Sequence, residues 1–96
     1  MDSQSEILAA AFEQWGKKTL CMRAAEECGE LAARASHYIR GMPESELHLA
    51  EAIADVEIIC AALRRLVPDG LDVDAIKAMK LQRLSERTTE ARGWRK

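Results

Sequence analysis

The residues of this chain best equipped for chemistry are carboxylates at helical spacing. Glu26, Glu27 and Glu30 stand within about one turn of each other, and Glu51 and Asp55 stand a turn apart further on. On a helical wheel Glu27 and Asp55 each fall at the edge of an apolar stripe. Glu30 lies one step further round from Glu27, Glu51 shares the face of Asp55, and Glu26 points to water. A turn centred near Met42 and Pro43 would pair the two segments antiparallel, with positions summing to about 85, and so set Glu30 opposite Asp55. No Lys or Arg in that seam pairs with all of these acids, so they would repel, and their desolvation is costly. Hard divalent cations bound by carboxylate oxygens resolve the conflict and keep positions open for water and phosphate oxygens. Solvated helix faces account for the same spacing, because Glu is a good helix former. His48 extends one face into a row of His48, Glu51 and Asp55, as a ligand or as an ordinary surface or capping residue. Ser45 reads as an N-cap rather than a nucleophile. The sequence holds no Ser/His/Asp set, Gly-rich phosphate loop or dinucleotide fingerprint.

Four helices must position these acids. The first is expected from about Gln4 to Gln14, with Ser3 as N-cap, Glu6 completing a capping-box pattern and Gly16 ending it. The second runs from about Thr19 to Arg40 and stops at Gly41-Met42-Pro43. The third runs from Glu44 or Ser45 to Leu66, ahead of the turn signal Pro68-Asp69-Gly70. The fourth runs from Val73 to Thr88 or beyond, with Asp72 as N-cap. The expected fold is all-α: an antiparallel helical hairpin core with flanking helices, as a single domain over residues 1–96.

Composition supports helix, with 48% hydrophobic and only 4% aromatic residues, two Pro and five Gly. A domain of 96 residues leaves much apolar surface uncovered. Ile53, Val56, Ile59, Cys60 and Leu63 span more than one packing face of the third helix, so an oligomeric helical bundle, a homodimer or homotetramer, is expected. The net charge of −2 argues against a nucleic-acid polymer as partner. Charge is nevertheless segregated: residues 76–96 hold seven basic and two acidic residues, a local +5 that leaves −7 for the rest. An acidic body with a basic tail suits a metal-dependent site for a polyanionic small molecule, and it equally describes a solvated C-terminal helix. Cys21, Cys28 and Cys60 show no zinc or disulfide spacing. Cys28 and Cys60, set among Ala, Leu and Ile, read as reduced core residues of a cytoplasmic protein. No apolar run reaches membrane-spanning length, and Met-Asp-Ser-Gln-Ser-Glu lacks the basic start of a signal peptide.

The string Glu26-Glu27-Cys28-Gly29-Glu30-Leu31, followed by Glu51-Ala52-Ile53-Ala54-Asp55-Val56-Glu57-Ile58, resembles the MazG-like nucleoside triphosphate pyrophosphohydrolases of the all-α NTP pyrophosphatase superfamily. Their signature is E-E-x-x-E, a spacer, then E-x-x-D on two antiparallel helices. Lys80-Leu81-Gln82-Arg83-Leu84-Ser85-Glu86-Arg87 is similar to the basic fourth helix of the small, phage-type members. The resemblance covers about residues 12–90. It implies hydrolysis of an NTP or dNTP to the monophosphate and pyrophosphate. Mg2+, or Mn2+ in its place, would be held by Glu27, Glu30 and Asp55, with Glu51 as a further ligand. The ions would clamp phosphate oxygens and activate a water for attack at the α-phosphorus, with Glu26 as a supporting group or base. Lys80, Arg83 and Arg87 would neutralise phosphates, and Trp15 would contribute to the base pocket. One departure stands out: the family's E-x-x-D places Glu where this chain has Ala52, and Glu51 is one residue early. A degenerate member, a nucleotide-binding or protein-interaction helical module with little turnover, is the alternative.

Overall fold

The computed structural model describes residues 3–94, and Arg95 and Lys96 of the basic segment lie outside them. Those residues form α1 (Gln4–Ile39), α2 (Ser45–Leu63), a single 3-10 turn (Arg64–Leu66) and α3 (Val73–Trp94). No strand occurs among the described residues. The side-chain oxygen of Ser3 accepts from the Glu6 amide at 3.2 Å, the N-cap expected of it.

The first two expected helices are one element broken at a single residue. Gly16 sits at φ 73° and ψ 169°, inside α1 but outside helical conformation. That region of backbone space is essentially reserved for glycine. The helix resumes at once, so no loop of Trp15 to Lys18 separates the two parts. We expect Gly16→Ala to cost roughly 1–3 kcal/mol, although nothing lies within 4 Å of the added Cβ. A thermal melt of both chains tests this, and an unchanged midpoint would contradict the strain.

α1 ends in a Schellman motif. Gly41, at φ 68°, donates its amide to the Tyr38 carbonyl at 3.0 Å, and Met42 donates to His37 at 3.1 Å. Glu44 then takes a left-handed conformation (φ 60°, ψ 13°) and is the N-cap of α2 without a side-chain bond. Ser45 is therefore not the cap: it is the first helical residue, it is buried, and its amide donates to the Met42 carbonyl at 3.2 Å.

α1 and α2 pack as the antiparallel hairpin. Leu20, Ile59 and Ala62 form the buried centre, with Leu8, Phe12, Ala24 and Leu63 against them. Along α2 the covered positions Ser45, Ala52, Val56, Ile59 and Leu63 recur every three, four or seven residues, the seam of an antiparallel pair. Cys28 and Cys60 are exposed, not core. Each follows a seam residue, Glu27 or Ile59, by one step, and one step carries a side chain about 100° round the helix.

The last turn of α2 tightens into the 3-10 turn before Pro68. Asp72 caps α3 as expected, its Oδ1 accepting from the Ala75 amide at 3.0 Å. Arg64 Nη1 meets Asp74 Oδ1 at 3.0 Å. Beyond Val73, every side chain from Asp74 to Glu90 is exposed. No helix among the described residues is long and apolar enough to cross a membrane.

Candidate functional site

The hairpin places Glu30 of α1 and Asp55 of α2 at one level, as the short connection requires. Glu30, Arg34, His48, Glu51, Ala52 and Asp55 line one small cavity of about 130 Å³. Ala52 is 3% exposed and belongs to the seam as well as to this cavity. Glu51 and Asp55, one turn apart, are exposed at its edge.

Arg34 is the residue that the sequence reading missed. Its Nε lies 2.6 Å from Glu30 Oε1, an i,i+4 pair on α1. Arg34 pairs with Glu30 alone, and among the described residues no Lys or Arg pairs with Glu27, Glu51 or Asp55. Arg34 follows Glu27 and Leu31 at seam spacing, and that spacing was its available signal. Glu51 Oε1 lies 3.4 Å from His48 Nδ1, and Glu44 Oε2 lies 3.8 Å from His48 Nε2. His48 therefore stands between Glu44, the cap of α2, and Glu51 on α2, contacts that are ion pairs only when the imidazole is protonated.

The other expected site residues are placed differently. Glu27 is half-buried on the seam face of α1 but does not line the cavity. Glu26 is exposed, one turn before Glu30. Trp15 is exposed at the Gly16 break, with the Arg23 guanidinium carbon 4.6 Å from its ring centroid. Lys80, Arg83 and Arg87 are exposed on α3, and α3 supplies none of the residues lining the acidic cavity.

In donor chemistry the cavity suits a hard divalent cation, because its carboxylate oxygens come from two rigid helices. As the side chains stand, no group of three or more His, Cys, Asp or Glu among the described residues is gathered closely enough to hold an ion. Glu30 is turned to Arg34 and Glu51 to His48, both by surface pairs of small energy.

Comparisons with known protein families, curated proteins and solved structures found no match for the chain.

Proposed function

We propose that this chain is a Mg2+-dependent nucleoside triphosphate pyrophosphohydrolase of MazG-like type, working in the cytoplasm as a homo-oligomer. One observation carries the reading: carboxylates from two antiparallel helices, Glu30 on one and Glu51 with Asp55 on the other, line a single cavity. The exposed state of Cys21, Cys28 and Cys60 suits a reducing compartment. The surface left uncovered by one chain supports assembly.

Glu30, Glu51 and Asp55 would hold the metal, with Glu27 joining from the seam. A bound Mg2+ supplies charge neutralisation at phosphoryl oxygens. Glu26, a turn before Glu30, accepts a proton from the attacking water. The water oxygen bonds to the α-phosphorus, the bond from that phosphorus to the α–β bridging oxygen breaks, and pyrophosphate leaves. Arg34 exchanges Glu30 for a phosphate oxygen, a partner that matches its planar fork. Lys80, Arg83 and Arg87 balance the remaining phosphate charge, and Trp15 offers an aromatic face to the base.

Ala52 favours a second reading, a module that binds nucleotide with little turnover. The family's Glu is replaced there by a buried methyl group. Release of pyrophosphate from a panel of NTPs and dNTPs with Mg2+ decides between the two. Monophosphate with matching pyrophosphate supports the enzyme. Nucleotide binding without product supports the module, and neither binding nor product contradicts both.

A further inference from the structure

We propose that α3 is exchanged between two copies of the chain, so that the helix of one copy lies on the hairpin of the other and brings Lys80, Arg83 and Arg87 to its acidic cavity.

Within its own chain α3 has almost nothing to hold it. Among the described residues its side-chain ties are the Asp72 cap and the Arg64–Asp74 pair at 3.0 Å. Ile76, Met79, Leu81 and Leu84 are 44–59% exposed. These residues lie on several sides of α3, beside its basic residues, and a helix that packs on nothing is marginal in water, so α3 needs a cover. α2 presents the complementary deficit. Leu47, Ile53 and Ile58 are 43–58% exposed, left uncovered by α1. Exposed apolar residues beside the acids of α2 suit a partner surface.

Two measures of size lead to a second copy as the cover. The chain exposes 7994 Å², whereas a compact monomer of its mass exposes about 5,500 Å². The excess of about 2,500 Å² per chain lies at the scale that one subunit contributes to an obligate dimer. The radius of gyration is 17.2 Å, against about 12–13 Å for a compact domain of this length.

Charge sets the register. Lys80, Arg83 and Arg87, at spacings of three and four, share one face of α3. No ion pair among the described residues engages them. The cavity has three carboxylates facing one arginine. A two-fold axis makes the exchange mutual, with each helix on the other's hairpin. The role of the three cations toward a triphosphate rests on the function proposed above, but the exchange itself does not.

A charge swap in full-length chains tests it. One variant carries Lys80→Glu, Arg83→Glu and Arg87→Glu, and the other carries Glu51→Lys and Asp55→Lys. Each variant alone sets like charges together, and its self-association should weaken by at least about tenfold against wild type. Mixed in equal amounts, the two should form heterodimers, read by native mass spectrometry, because both helix–cavity contacts are again of opposite sign. That rescue also shows that each variant folds. A monomeric wild type at micromolar concentration would overturn the exchange. So would variants that self-associate as tightly as wild type, or mixtures without preferential heterodimers. Heterodimers without pyrophosphate release in the wild type would leave the exchange standing and count against the enzyme alone.

Discussion

Glu30→Gln and Asp55→Asn should each lower Mg2+-dependent turnover by at least about a hundredfold while leaving the helices intact. Loss of a group that merely supports a metal ligand costs roughly 10–100-fold, so loss of a ligand carboxylate should cost no less. Neither substitution should harm the fold. Both residues are exposed, and the Glu30–Arg34 pair is an exposed i,i+4 contact worth about 0.3–0.5 kcal/mol. Asp55→Asn also removes a like charge one turn from Glu51, a repulsion of similar size. Turnover and circular dichroism on the same preparations check the claim. Unchanged turnover would remove these residues from the site, and lost helix would make the acids structural.

The second large effect is expected at residues 51 and 52. If Glu51 has taken the place of the family's missing Glu, Glu51→Ala should raise the Mg2+ concentration needed for half-maximal turnover by about tenfold or more. Glu51 lines the same cavity as Glu30 and Asp55, which this outcome requires. Ala52→Glu should act chiefly on stability. Position 52 is 3% exposed in the seam, and a charge brought there without a partner costs roughly 2–4 kcal/mol. A silent Glu51→Ala together with faster turnover in Ala52→Glu would reverse this account: the site would then have lost a ligand and gained no substitute. If neither variant differs from wild type, no ligand resides at this turn of α2.

The hairpin and its level were legible because a short connection leaves little freedom. Gly41-Met42-Pro43 ends α1, the apolar seams fix which faces meet, and Glu30 then has to stand near Asp55. The cap at Asp72 was legible for a local reason, since its oxygen and the amide it accepts from are three residues apart. Ser45 misled because Glu44 adopts a left-handed backbone that glutamate seldom takes, which moves the helix start by one residue. Gly16 marked a break correctly, but a glycine signal does not distinguish a helix end from a one-residue kink. Cys28 and Cys60 looked like core because apolar residues stand near them, yet each lies one step, about 100°, round its helix from a seam position. The place of α3 could not be read from the sequence at all, because its side chains meet so little of their own chain.

The central claim, attack of water at the α-phosphorus in the acidic cavity, is tested most directly by hydrolysis in water labelled with heavy oxygen. Wild type and Asp55→Asn would be given the same nucleotides and Mg2+, and mass spectrometry would locate the label in the products. The account predicts label in the nucleoside monophosphate, none in pyrophosphate, and almost no product from Asp55→Asn. Label in pyrophosphate, equal yields from the two chains, or no product from wild type would contradict it.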